Sequence, residues 1–122
     1  MLHSFFRLCL AASLFAPLAP QEAKASVQCG DASWYGVGDG FDGQRTASGE
    51  RFNAYGLTAA HRYLPFGTRV RVTNQRNGRS VVVRITDDGP HYGGRILDLS
   101  YGAFSRIAAT SRGTADVCIA RL

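Results

Sequence analysis

The stretch from Thr68 to Thr86 limits the fold more than any other part of the chain. Val70 and Val72 alternate with Arg69 and Arg71, and Val81, Val83 and Ile85 alternate with Val82 and Arg84. β-Branched residues at period two place one face of each run in a core and leave the other to water. Between the runs lies Asn74-Gln75-Arg76-Asn77-Gly78, whose Asn-Gly pair tolerates the positive backbone angles of a tight turn. This pattern predicts a β-hairpin.

Shorter runs at 32–35, 57–60, 95–99 and 115–120 read as further strands. One helix is expected: Ser100 can cap it, and Ala103, Phe104, Ile107 and Ala108 share a face at helical spacing, with Gly113 a few residues beyond. The glycine-rich stretch 36–53 is a long loop, and such loops in small domains usually carry function. A chain of 122 residues holds one small domain, and no internal repeat or linker divides it. Many short strands with one short helix are best satisfied by a small closed β-barrel, which leaves no strand edge exposed.

The first 25 residues are read separately. Arg7 precedes an apolar stretch from Leu8 to Phe15, Pro17 and Pro20 follow, and Ala23-Lys24-Ala25 forms an A-x-A site before Ser26. This is the layout of a secretory signal peptide over 1–25, with a mature domain over 26–122. The residues before Cys9 lack the small side chain of a lipoprotein signal. No apolar run reaches the 18 or more residues a membrane span needs. The expectation is a soluble monomer, periplasmic or secreted, with no stable membrane insertion after cleavage.

Export gives the remaining cysteines meaning. Cys29 and Cys118 stand near the two ends of the mature chain, and an oxidising compartment favours a disulfide between them. Closing so long a loop is worth about 4–5 kcal/mol in the chain-entropy model. Two buried free thiols are the alternative. Lone cysteines without C-x-x-C spacing argue against zinc, and the histidines form no H-E-x-x-H motif, so no metal or cofactor is expected. The net charge of +5 is not gathered into a basic cluster, so nucleic acid is not an expected partner.

A series of motifs is more specific. In order they are Ala32-Ser33-Trp34-Tyr35-Gly36, Thr46-Ala47-Ser48-Gly49-Glu50, Leu57-Thr58-Ala59-Ala60-His61 and Leu64-Pro65-Phe66-Gly67-Thr68. Val70-Arg71-Val72-Thr73-Asn74, Asn77-Gly78-Arg79-Ser80, Asp87-Asp88-Gly89-Pro90 and Arg95-Ile96-Leu97-Asp98-Leu99-Ser100 complete the series. Together they cover nearly all of the mature chain and resemble the rare lipoprotein A (RlpA) family. The resemblance implies a mainly β fold, a six-stranded double-psi β-barrel with one or two short helices. It also implies a lytic transglycosylase that cuts the β-1,4 bond between N-acetylmuramic acid and N-acetylglucosamine in peptidoglycan glycan strands lacking stem peptides. The product ends in 1,6-anhydromuramic acid.

That chemistry needs a proton for the leaving oxygen while the sugar gains oxocarbenium character. Because the substrate's own C6 hydroxyl replaces water, one carboxyl acting as acid and then base suffices. By resemblance, Asp87 is the first choice for that group and Glu50 the second essential carboxylate. Spacing does not decide which of them donates the proton. His61 is expected to hydrogen-bond a carboxylate or a sugar hydroxyl. Asn53 stands where active relatives often carry aspartate, and an amide cannot act as an acid. Asp88 replaces a commonly basic residue and sets two acids side by side, which can raise the pKa of Asp87 or repel an anionic substrate.

Read without the resemblance, Asp87 and Asp88 equally suit an Asx turn before Gly89-Pro90, and Asp98 supports the helix start beside Ser100. Trp34, Tyr35, Phe41, Tyr63 and Tyr92 are candidate sugar platforms, with Trp34 and Tyr35 equally suited to the core. Arg45 and Arg95 are candidate glycan donors. The competing function is an expansin-like module that binds wall polysaccharide without cutting it.

Overall fold

A computed structural model describes residues 27–122. The expected signal peptide over 1–25 lies outside the described residues. Six strands appear in chain order: β1 (Val27–Tyr35), β2 (Thr58–Ala60), β3 (Arg69–Asn74), β4 (Ser80–Asp87), β5 (Arg95–Ser100) and β6 (Thr114–Arg121). One helix, α1 (Tyr101–Ile107), follows β5, and a 3-10 turn at Thr110–Arg112 leads into β6. The strands close into a barrel in the order β1-β5-β2-β4-β3-β6. Two parallel pairs, β1 with β5 and β2 with β4, interrupt the otherwise antiparallel ladder. The architecture is the expected double-psi β-barrel.

The hairpin forms as its pattern predicts. Val70 faces Val83 and Val72 faces Val81 across β3 and β4, and all four side chains are buried. Gly78 sits at φ 74°, and the amides of Arg76 and Arg79 are held by the side-chain carbonyls of Asn74 and Asn77. Ile85, Leu97, Leu99, Val117 and Ile119 complete the barrel interior with Phe104 and Ile107 from α1. Each such side chain contributes about 1.5–3 kcal/mol on burial. Ser100 caps α1 through its hydroxyl, which accepts from the Ala103 amide at 3.2 Å.

β1 begins earlier than its hydrophobicity indicates. Its first residues, Val-Gln-Cys-Gly-Asp, pair antiparallel with β6, which puts Cys29 directly opposite Cys118. The two form a disulfide with Cα atoms 4.1 Å apart, so the staple joins neighbouring strands at the two ends of the domain.

Candidate functional site

Asp87 and Asp98 lie on strands flanking the short strand β2, and Ala60 is the register partner of both. Adjacent strands are about 4.8 Å apart, so the two aspartate backbones stand roughly 10 Å apart across a single alanine. The small Ala60 side chain leaves room between them. A groove of about 440 Å3 opens there, lined by Asp87, Asp88, Asp98, Tyr35, Phe41 and Tyr92 among others.

Each aspartate is held differently. Asp87 accepts from the Tyr35 hydroxyl at 3.1 Å and from the Ala47 and Asp88 amides at 3.0 Å each, so both its oxygens are oriented. Burial, and then the charge of Asp87, push the Tyr35 phenol up, which keeps it a hydrogen-bond donor. Tyr35 stacks on Phe52 at 4.4 Å between ring centroids, which fixes its direction. Among the described residues the Asp98 carboxyl accepts one bond, from the Ser33 hydroxyl at 3.0 Å. Burial pushes its carboxyl from 3.8 up to about 6, with the negative charges of Asp39 and Asp87 adding to the rise, while Ser33 and Arg95 oppose it. The helix-start role expected for Asp98 is therefore corrected. It alternates with the buried Leu97 and Leu99 and so faces the groove, while Ser100 alone supplies the side-chain cap.

Glu50 and Asn53 are not in this groove. They line a neighbouring hollow of about 210 Å3 with Arg51, Thr58, Arg84 and Thr86. Glu50 makes a bidentate pair with Arg84 at 2.6 and 2.7 Å, and hydrogen bonding to that guanidinium holds its carboxyl below the usual range. Asn53 uses its side-chain carbonyl to accept from the Tyr55 amide at 3.0 Å. Glu50 and Asp87 thus open into two adjacent hollows. The turn 46–50 divides them, resting on β4 through Ser48 N–H to Thr86 O at 3.2 Å and through Ala47 to Asp87.

His61 lies elsewhere again. It is buried, its Nδ1 accepts from the Tyr63 and Leu64 amides at 3.2 Å each, and its Nε2 faces the Gln28 amide oxygen at 3.0 Å. That pattern assigns the proton to Nε2. Burial, with the nearby Arg62 charge, lowers the pKa and keeps the ring neutral. Among the described residues its partners are two backbone amides and Gln28, and the carboxylate, one of the two expected partners, is not among them. The ring fastens the turn after β2.

Tyr92 is 68% exposed on the groove wall, with the Arg95 guanidinium 5.2 Å from its ring centroid. Arg95 thus supports the ring from behind. Arg62, which sequence reasoning passed over, clamps the same loop by donating to the carbonyls of Pro90, Tyr92 and Arg95 at 2.6–3.0 Å. No distinctive motif marks Arg62, since its partners are backbone atoms some 30 residues away. Among the aromatic candidates, Trp34 is a structural residue, donating to the Thr110 carbonyl at 2.9 Å and meeting Tyr101 edge to face.

Comparison with known proteins agrees with this architecture. The family model described as "Lytic transglycolase" matches residues 27–119. The chain is 61% identical over 93 residues to a "Probable endolytic peptidoglycan transglycosylase RlpA" of Synechocystis, a match covering 76% of this chain and 28% of the relative. It therefore spans less than a third of that relative's length. Two solved structures share the fold. Streptomyces papain inhibitor has a TM-score of 0.65 at 22% identity, covering 84% of this chain and 99% of that one. Clavibacter michiganensis expansin in complex with cellohexaose has a TM-score of 0.64 at 20% identity, covering 80% of this chain and 50% of that one. With its barrel and its motif series both accounted for, the chain belongs to the lytic transglycolase family as an RlpA-like double-psi β-barrel.

Proposed function

We propose that the chain is an exported lytic transglycosylase acting on peptidoglycan glycan strands that lack stem peptides. The observation that carries this reading is the pair of unlike aspartates across Ala60: one half-buried with its carboxyl raised to about 6, the other fixed by three hydrogen bonds. Two carboxyls whose environments differ in this way suit separate acid and charge-stabilising roles. The names of the relatives, endolytic peptidoglycan transglycosylases, support the substrate class.

In this mechanism Asp98, rather than Asp87, is the proton donor. Protonated Asp98 gives its proton to the glycosidic oxygen as the bond to C1 of the muramoyl unit breaks. The Asp87 carboxylate, held by Tyr35 and two amides, stabilises the oxocarbenium character that develops. Asp98, now ionised, takes the proton from the C6 hydroxyl as that oxygen bonds to C1, closing the 1,6-anhydro ring. Tyr92 and Phe41 offer ring faces to the sugars. Glu50, kept ionised by Arg84, acts from the neighbouring hollow on substrate position and is no proton donor. The reaction places the protein outside the cytoplasm, and no described helix is long and apolar enough to cross a membrane.

The test is product analysis by mass spectrometry after incubation with peptide-free glycan strands. Wild type should release strands with 1,6-anhydromuramic ends. Asp98→Asn should lower that release by about 100-fold or more, the usual contribution of a positioned acid. Glycan binding with no such product from wild type would overturn the lyase reading in favour of the expansin-like module.

A further inference from the structure

The lyase mechanism leaves one opening of the barrel without a use. It is a hollow of about 320 Å3, with Gln28, Tyr63, Leu64, Pro65 and Arg121 in its lining and the buried His61 behind them. Ala60 lines the groove and His61, the next residue, lines this hollow, so one turn of the chain separates the two. Tyr63 is 71% exposed and yet fixed. Its ring meets the His61 ring edge to face at 4.5 Å between centroids, and its hydroxyl donates to the Gln28 side-chain oxygen at 3.4 Å. An exposed ring held in one direction has little freedom left to lose when a ligand packs on it.

The polar groups narrow the ligand's chemistry. The Gln28 oxygen already accepts from His61 Nε2 at 3.0 Å and from the Tyr63 hydroxyl. The group left to Gln28 is its amide N–H2, which only donates. Arg121 is exposed, only donates as well, and pairs with no carboxylate among the described residues. Donors select a ligand with acceptors at its edge. A flat ring beside the apolar Leu64 and Pro65 selects one that also has an apolar face. A pyranose bearing an acetamido group has both, with C–H bonds on its face and hydroxyl and amide oxygens around it.

We propose that this hollow is a second glycan contact, where Tyr63 packs on an N-acetylhexosamine ring and Gln28 and Arg121 donate to its acetamido carbonyl and hydroxyls. The inference rests on the reading of the chain as acting on peptidoglycan. The groove cuts, and the hollow holds the same strand a short way from the cut. His61 stands behind the ring and touches no sugar.

The experiment is calorimetric titration of the chain carrying Asp98→Asn with peptide-free glycan strands. Adding Tyr63→Ala should weaken binding about tenfold, while the melting temperature stays close to that of the parent, as for other surface substitutions. Tyr63→Phe keeps the ring and should bind within about threefold of the parent. Arg121→Gln should weaken binding by about threefold to tenfold, as loss of a charged donor warrants. Equal affinity in Tyr63→Ala overturns the inference. So does a Tyr63→Phe chain that binds as weakly as Tyr63→Ala, because the hydroxyl's hold on Gln28 would then be the cause. Tyr63-dependent binding without anhydro ends from wild type overturns the lyase reading alone. Anhydro ends with binding indifferent to Tyr63 overturn this inference alone, and neither binding nor anhydro ends overturns both.

Discussion

Asp98 shows how one side chain's surroundings set its use. Burial favours its neutral form in the folded chain, so between pH 3.8 and about 6 the folded state binds more protons than the unfolded one. Stability therefore falls as pH rises through that window. Asp98→Asn should remove the loss and raise stability at pH 7 by about 1–3 kcal/mol relative to wild type, read by denaturation at pH 4 and pH 7. An unchanged pH slope in the variant would refute the assignment. Glu50 has the opposite sign. Its pairing with Arg84 stabilises the fold above the unfolded carboxyl pKa, and that contribution is lost as pH falls through the lowered folded value. Both partners are exposed, so Glu50→Gln should cost less than about 1 kcal/mol in the same experiment while still impairing product release.

At the scale of elements, the groove depends on β2, a strand of three residues. Ala60→Leu should fill the space between Asp87 and Asp98 and lower glycan affinity by about tenfold or more, with circular dichroism unchanged; undiminished binding would separate the groove from the glycan site. The loop that carries Asn53 is seated on α1 by close backbone approach. The Gly102 amide donates to the Ala54 carbonyl at 2.8 Å, and a Cβ at Gly102 would lie 2.7–2.9 Å from the Tyr55 backbone. Gly102→Ala should therefore destabilise the domain by about 1–3 kcal/mol in a thermal melt. The valine alternation marked β3 and β4, and Ser100 marked the start of α1, because their periodicity and capping are local. The first half of β1 was not legible, since Gln28, Gly30 and Asp31 join the barrel through backbone pairing with β6 and the disulfide.

For the molecule as a whole, the barrel closes where β1 meets β6, and Cys29–Cys118 lies on that seam. Replacing both cysteines by serine should lower unfolding free energy by about 2–5 kcal/mol in denaturant titration, and reductant should have no further effect on the variant. Wild type that is indifferent to reductant while fully reduced would refute a stabilising role. The sequence by itself determined the hairpin, the capped helix, the cysteine pair and, through its ordered motifs, the barrel. These are properties of local pattern or of motif order along the chain. Only the tertiary structure decided how the acids divide. Asp98 reads as one charge among leucines until β2 sets it across from Asp87, Phe41 joins it in lining the groove, and Asp39 comes near enough to act on its charge. Glu50 reads as a second essential carboxylate and His61 as a hydrogen-bond partner of a carboxylate or a sugar, and the fold turns one toward Arg84 and the other toward Gln28. A carboxyl's proton affinity follows from burial and neighbouring charge, and both come from residues far apart in the chain that only the closed barrel brings together.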